Sequence, residues 1–299
     1  LFDIVLRLRA LPELLARNGY YGGLIMEFSL SDYLTRIGWP HAVPQPGVST
    51  LRELHLRHAC AIPFENLDVL LGRTVHIDQT ALFAKLVHAR RGGWCYEQNG
   101  LFQQALEALG FEVESLAARV VMAGPATMPP RTHRMLCVTF AAERWLADVG
   151  FGGASLSTPI RLCAGQEQRT AHGLYRLDNT PEGWLLLAHQ HNAWQRLYLF
   201  DESRAYFSDY LMANHFVSTW PDSHFLRHLM VSRWLTDGGQ LRLLNCRLTR
   251  RAPDGSEAEQ TLTPEQVFRS LKQDFGLCLD HAQYGIRLQE LQSVLKRCG

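Results

Sequence analysis

The chain has no long apolar run, no C-x-x-C pair and almost no net charge. Each lack removes a class of protein. No stretch reaches the roughly 18 apolar residues that cross a bilayer. The N-terminal stretch also lacks the unbroken apolar core and small-residue site of a signal peptide. The 30 basic and 29 acidic side chains leave a net charge of +1, without the basic excess that neutralises a nucleic-acid backbone. Nucleic acid and membrane are therefore not expected partners. Seven cysteines, Cys60, Cys95, Cys137, Cys163, Cys246, Cys278 and Cys298, are odd in number and widely spaced. That argues against a disulfide framework or a zinc knuckle and for a reducing, cytoplasmic setting. There is no internal repeat and no low-complexity segment. Gly150, Gly152 and Gly153 lack the G-x-x-x-x-G-K-[ST] of a phosphate loop. His189 and His191 have no third ligand at metal spacing, so no metal is expected.

What is present is a chain of 299 residues, 46% hydrophobic, enough for two or three packed units. Residues 1–27 carry Arg7, Arg9 and Arg17 among leucines. They read as an N-terminal extension upstream of a natural start at Met26; the competing reading is a targeting or docking arm. From 28 to 111 the pattern is helical. SLSDYLTRIG has a Ser/Asp start and a Gly stop. STLRELHLRHACAI suggests Ser49 or Thr50 as N-cap, with Glu53 completing a capping box, and DQTALFAKLVHAR has helical spacing. CYEQNGLFQQALEALG sets Leu101, Phe102, Ala105, Leu106 and Leu109 on one face, with Gly110 as C-cap. From 112 the texture is of short strands separated by Pro, Gly and Asn clusters, which suggests an antiparallel sheet or small barrel. A mixed unit follows, in which Gln240 to Arg250 reads as a strand and Thr263-Pro264-Glu265-Gln266 as a helix start. Helices, then strands, then a mixed unit predict an α+β architecture.

The segment RGGWCYEQNG, 91–100, raises the chemical question. A thiol attacks as its thiolate, and its ordinary pKa is near ~8.5. Unpaired N–H groups and the dipole at a helix N-terminus favour that anion. The Gly92-Gly93 pair lets the chain turn sharply and lets a substrate approach the backbone. Cys95 therefore stands where a cysteine meant to ionise belongs. A nucleophile needs a base, and the base an orienting acceptor. His133 starts one strand and Asp148 ends the next, and the short Ala-Ala-Glu link makes them a hairpin. The two ends lie side by side, so the carboxylate can fix the imidazole's tautomer. Each residue has a plainer reading. Cys95 can be a buried cysteine, His133 and Asp148 a structural contact, and Glu97 and Asn99 ordinary helix-start residues.

Several segments together resemble one family. RGGWCYEQN matches the R-G-G-x-C-x-E-x-N signature of the arylamine N-acetyltransferases at Arg91, Gly92, Gly93, Cys95, Glu97 and Asn99. IPFENL, THRMLCV, ADVGFG and the segment NHFVSTWPDSHF, 214–225, resemble further family segments in the same order. The resemblance covers roughly 28–299. It implies a helical first domain (28–111) carrying the nucleophile, an antiparallel β-barrel (112–220) carrying His and Asp, and an α/β lid (221–299), the first two forming a cysteine-protease-like core. It implies acetyl transfer from acetyl-CoA, as co-substrate, to arylamines, arylhydrazines and N-hydroxyarylamines by a ping-pong route. Cys95 would be the acylated nucleophile, His133 its base and Asp148 the orienting carboxylate, with Arg91 and Glu97 structural. Phe64, Phe151, Phe216 and Trp94 are candidates for the acceptor pocket. Backbone N–H groups at Gly150 and Gly152 and the hydroxyls of Ser218 and Thr219 are candidates for the CoA phosphates. Small aromatic amines, hydrazines and CoA are thus the expected partners, with a homo-oligomer open. Two other readings keep the fold: an amide synthase or cysteine hydrolase using the same residues on another acyl donor, and a binding protein with a dead site.

Overall fold

A computed structural model describes residues 28–122 and 124–298. The N-terminal extension and Met26 lie outside the described residues. In the helical part, α1 (Leu30–Arg36) is capped by Ser29, whose hydroxyl accepts from the Asp32 N–H, and stops at Gly38, φ +65°. α2 (Val48–Ala61) begins one residue ahead of the expected Ser49 or Thr50 cap. The Thr50 hydroxyl donates to Gln45 O at 2.8 Å, and Glu53 pairs with Arg57 at 2.8 Å, so neither serves a capping box. Next come β1 (Phe64–Glu65), a single turn α3 (Leu67–Leu70) and α4 (Gln79–Phe83). The helix expected through DQTALFAKLVHAR widens at Ala84–His88 into one π-turn, with the Ala89 N–H reaching Ala84 O at 2.9 Å. That turn carries Lys85 into the interior. α5 (Cys95–Ala108) buries Leu101, Phe102, Ala105 and Leu106 completely. It ends where Gly110 takes φ +85° and the Phe111 N–H returns to Leu106 O at 3.0 Å.

Eight antiparallel strands form the second sheet: β2 (Glu112–Val120), β3 (Arg131–Phe140), β4 (Glu143–Ala147), β5 (Ile160–Arg161), β6 (Glu167–Arg169), β7 (Leu174–Thr180), β8 (Gly183–Gln190) and β9 (Ala193–Arg204). Their order is β5-β4-β3-β2-β9-β8-β7-β6. The two edges approach each other, and one side chain stitches them. The Gln168 amide accepts from Arg161 N–H at 2.7 Å and donates to Arg161 O at 2.9 Å, as a neighbouring strand would. The result is a nearly closed barrel filled by Leu116, Met135, Leu146, Leu177, Leu186 and Tyr198. The β3–β4 hairpin turns on Ala141 and Ala142, φ +50° and +63°, a tight turn made without glycine or asparagine.

The chain then crosses back along α6 (Phe207–Thr219) and a short α7 (His224–Arg227). α6 is tied to the barrel by the Tyr210 hydroxyl on Leu116 O at 3.0 Å, and to the helical part by the Asn214 amide on Val75 O at 2.9 Å. The last unit is an antiparallel sheet of β10 (Met230–Trp234), β11 (Gln240–Leu244), β12 (Arg247–Arg251) and β13 (Glu257–Thr261), covered by α8 (Pro264–Gln273) and α9 (Leu288–Leu295). The single strand expected at Gln240 to Arg250 is a hairpin, because Asn245 takes φ +54° and turns the chain. α8 starts on Thr263, Pro264 and Gln266 as expected. β1 pairs with β10 through Phe64 and Ser232, which fixes the last unit beside the start of α5. The architecture is α+β.

Candidate active site

Cys95 is the first residue of α5 and is 8% exposed. The glycines before it have a different task from the expected turn. Neither Gly92 nor Gly93 has positive φ. The strand they form runs against β1, with the Glu65 N–H on Gly93 O at 3.1 Å. A Cβ on Gly92 would stand 2.2 Å from Pro63 O. At Gly92 the close approach is by the protein's own backbone.

Glu97 holds the corner. One carboxylate oxygen accepts from the Trp94 N–H at 3.1 Å, the other from Lys85 Nζ at 2.7 Å. Lys85 also meets Asp68 at 2.6 Å, and Arg91 meets Glu65 at 2.7 Å and Asp68 at 3.3 Å while donating to Tyr284 O. Burial and the neighbouring acids push Glu97 up to about 7, against the pull of Lys85. Breaking a buried ion pair leaves the other charge stranded, at a cost of about 3–5 kcal/mol. Lys85→Met is therefore expected to lower the urea midpoint by a corresponding amount and to loosen the Trp94–Cys95 corner. A midpoint within error of wild type would show that the pair contributes nothing.

The expected base, His133, and its expected acceptor, Asp148, come from the β3–β4 hairpin and the residue that follows it. Leu136 pairs with Ala147, so one further step sets Asp148 across from Met135, on the same face as His133. The contact is diagonal rather than directly opposite: His133 Nε2 lies 2.8 Å from Asp148 Oδ2. Around Asp148, Oδ2 also accepts from the Tyr198 hydroxyl at 3.0 Å. Oδ1 accepts from Asn99 Nδ2 at 2.9 Å and from the Gly150 N–H at 3.0 Å. The Asp148 N–H itself donates to His55 Nε2 at 3.1 Å. Burial disfavours charge on both partners, yet the mutual attraction wins. His133 is raised to about 10, with Cys95 adding to the effect of Asp148, and Asp148 is held below its ordinary value by His133, Asn99 and Gly150. The Cys95 sulfur lies 3.9 Å from Thr132 O, one residue before His133. The structure thus brings Cys95, His133 and Asp148 to one place. The N–H groups of Cys95 and Tyr96 have no acceptor among the described residues.

Gly150 lies against Cys95. A Cβ there would stand 2.7 Å from Cys95 Cα and 2.8 Å from Asn99 Nδ2. Gly150→Ala is expected to cost about 1–3 kcal/mol of stability through overpacking, and to slow turnover by displacing Cys95. Unchanged kcat in the purified variant would refute that.

A cleft of about 340 Å³ is lined by Phe64, which packs in one cluster with Cys95, and by Phe151, Gly152, Phe225 and Met230, with Arg242 and Arg247 also on its wall. Phe151 packs edge-on against His133, ring centroids 4.9 Å apart. Phe225 packs on Trp94 at 5.3 Å and near Phe64 at 6.2 Å. Phe216 is placed differently from the expectation. It is 38% exposed, stacked on Trp220 at 5.3 Å, and outside the cleft lining, because α6 buries Tyr210, Asn214 and Val217 instead. The Ser218 hydroxyl donates to Asn214 O at 2.7 Å and the Thr219 hydroxyl to His215 O at 2.7 Å, which binds them into their own helix. Gly152, φ +86°, lines the cleft; Gly150 lies beneath Cys95. Sequence reasoning missed His55, Tyr198 and Phe225. Only Phe225 carried a signal, as the last residue of the segment 214–225. Among the described residues no group of His, Cys, Asp and Glu can hold a metal ion, and no helix is long and apolar enough to cross a membrane.

A family model described as N-acetyltransferase matches residues 47–284. The chain is 46% identical to an arylamine N-acetyltransferase of Escherichia coli over 268 residues, 89% of this chain and 95% of that one. It is 47% identical to the arylamine N-acetyltransferase / N-hydroxyarylamine O-acetyltransferase of Salmonella typhimurium, again over 89% and 95%. Among solved structures, the Salmonella typhimurium arylamine N-acetyltransferase superposes with TM-score 0.86 at 45% identity, covering 91% of this chain and 99% of that one. The Mycobacterium marinum enzyme in complex with CoA does so with TM-score 0.85 at 37% identity, covering 91% and 100%. Sequence and fold agree, and the chain belongs to the arylamine N-acetyltransferases, a family of acyltransferases.

Proposed function

We propose that this chain transfers an acetyl group from acetyl-CoA to the nitrogen of arylamines and arylhydrazines, and to the oxygen of N-hydroxyarylamines, through an acetyl-Cys95 intermediate. The observation that carries the reading is the junction of Cys95 with the His133–Asp148 pair, beside an aromatic cleft whose Phe151 packs on His133. His133 spends Nε2 on Asp148, which leaves Nδ1 as the nitrogen for the thiol proton. The Cys95 thiolate forms a bond to the thioester carbonyl carbon. The oxygen that gains charge accepts from the free N–H groups of Cys95 and Tyr96 at the start of α5. Collapse breaks the bond to the CoA sulfur, which leaves with the proton from His133. The amine then attacks the acetyl-cysteine, His133 takes its proton, and the Cys95 sulfur departs as the amide forms. Phe64, Phe151 and Phe225 offer the acceptor ring apolar and edge-on contacts. For the CoA phosphates, Arg242 and Arg247 are better candidates than Ser218 and Thr219, whose hydroxyls are engaged.

Intact-protein mass spectrometry with acetyl-CoA and no amine tests this. A single acetyl adduct on Cys95, discharged by an arylamine and stable in buffer, is the expected result. An adduct discharged by water alone would make the protein a hydrolase. No adduct on folded protein would remove acetyl-CoA as the donor.

A further inference from the structure

Asn66 is buried between β1 and α3, at the position where an asparagine normally caps the helix that follows. It does not cap α3. The Leu67 N–H is taken instead by Glu65 Oε2 at 2.8 Å. The Asn66 side chain turns to a segment 159 to 164 positions further along the chain. Its amide nitrogen donates to Phe225 O and to His228 O, both at 2.8 Å, and its amide oxygen accepts from the Met230 N–H at 2.8 Å. A primary amide has two N–H donors and one carbonyl oxygen, so 225–230 engages the whole group.

That segment depends on outside partners. α7 is a single turn, too short to hold its shape alone, and Ser223 gives it no side-chain cap. The carbonyls at the end of such a turn have no donors within it. Asn66 supplies donors to two carbonyls there, Phe225 O and His228 O.

The residues it holds line the cleft. Phe225 and Met230 are both on the cleft wall, and so is Phe64, two positions before Asn66. β1 pairs with β10 at Phe64–Ser232 and Glu65–Val231, so the next step of that ladder falls at Asn66 and Met230. There the side-chain amide accepts the N–H that a strand carbonyl would take, and the chain bends from α7 into β10. The bend leaves the Phe225 ring centroid 6.2 Å from that of Phe64 and 5.3 Å from that of Trp94.

We infer that Asn66 is a positioning residue of the acceptor cleft. By tying Phe225 and Met230 to the backbone that carries Phe64, it sets the spacing of the Phe64 and Phe225 rings, and with it the preference for an aromatic over a non-aromatic nucleophile. It acts through Phe225, not by contact with the acceptor. The inference rests on the acetyl-transfer reading.

The test isolates the second half-reaction. The full chain is acetylated on Cys95 with acetyl-CoA, freed of excess donor, and discharged in parallel by 4-methylaniline and by hydrazine, with intact-protein mass following each rate. In each discharge the nitrogen bonds to the acetyl carbon, the carbon–sulfur bond breaks, and one N–H proton returns to the Cys95 sulfur. Asn66→Asp keeps the side chain's shape but sets an oxygen against Phe225 O and His228 O. It should lower the ratio of the 4-methylaniline rate to the hydrazine rate about tenfold, the scale of a displaced apolar contact. Phe225→Ala should lower the ratio at least as far. In that background Asn66→Asp should lower it no further, because no ring is left to position. Asn66→Ser, which keeps one donor, should fall between wild type and Asn66→Asp, and carries the test if the aspartate variant does not fold. A ratio unchanged in the folded Asn66 variants overturns the inference, and so does a ratio unchanged by Phe225→Ala. Equal losses from Asn66→Asp with and without Phe225 overturn it as well, since they would make the effect a general loosening. A wild type that takes no acetyl group from acetyl-CoA overturns the acetyl-transfer reading, and the inference with it.

Discussion

Cys95→Ser is expected to lose acetyl transfer by roughly four orders of magnitude or more, with no acetyl adduct detectable by mass. The reason lies in what His133 is built to hold. At about 10, its imidazole is charged at neutral pH. A charged imidazole there favours an attacking group that is itself an anion. A serine hydroxyl is far too weak an acid to supply that negative charge. In the variant the imidazolium keeps its proton for Asp148 and has none of the basicity needed to activate the hydroxyl. The free N–H groups at the start of α5 remain, so residual rate from oxyanion stabilisation and binding is expected, but no covalent intermediate. Retention of more than about a hundredth of wild-type kcat in purified Cys95→Ser protein would take the thiol out of the assigned role.

What the sequence made legible was local. The start of α5 at Cys95 follows from a polar, glycine-flanked corner before a strongly apolar helix face. The His133–Asp148 contact follows from two strands with a short link, where period-two alternation decides which side chains share a face. The rest depends on contacts distant along the chain. His55 reaches Asp148 across 93 positions and Tyr198 across 50, and neither position has a local pattern that distinguishes it from core. Phe216 and Phe225 sit in one quoted segment. Which of them lines the cleft depends on distant contacts: Tyr210 and Asn214, bonding to the barrel and to Val75, fix α6 with Phe216 outward, and Phe225, on α7, packs on Trp94. The π-turn at Ala84–His88 is equally silent in sequence. It is stabilised by where Lys85 must go, between Asp68 and Glu97. The hairpin at Asn245 was the one local signal overlooked, since asparagine tolerates positive φ better than other non-glycine residues.

Asp148→Asn is expected to fold and to turn over roughly 10⁴-fold more slowly. The carboxylate accepts from four donors: His133, Tyr198, Asn99 and the Gly150 N–H. An amide has one oxygen and a nitrogen that only donates, so at least one pair of these donors must face another donor. If the amide nitrogen faces His133, the ring must flip its tautomer and Nδ1 becomes a donor, useless for taking the thiol proton. If the oxygen faces His133, the amide nitrogen confronts Gly150 and Asn99 beside the Cys95 backbone. Either arrangement removes the charge that sustains the imidazolium. The same pair sets a pH dependence of stability. His133 has its folded pKa raised to about 10, so its contribution is complete below about pH 6.5 and fades as pH rises toward 10. Asp148 is held below its ordinary value, so its contribution is present above about pH 4 and is lost as pH falls further. The difference in urea midpoint between wild type and Asp148→Asn should therefore be greatest between about pH 4 and 6.5 and shrink steadily toward pH 10. A difference that stays constant across that range would mean that His133 and Asp148 are not held as a charged pair, and the mechanism would need a neutral imidazole.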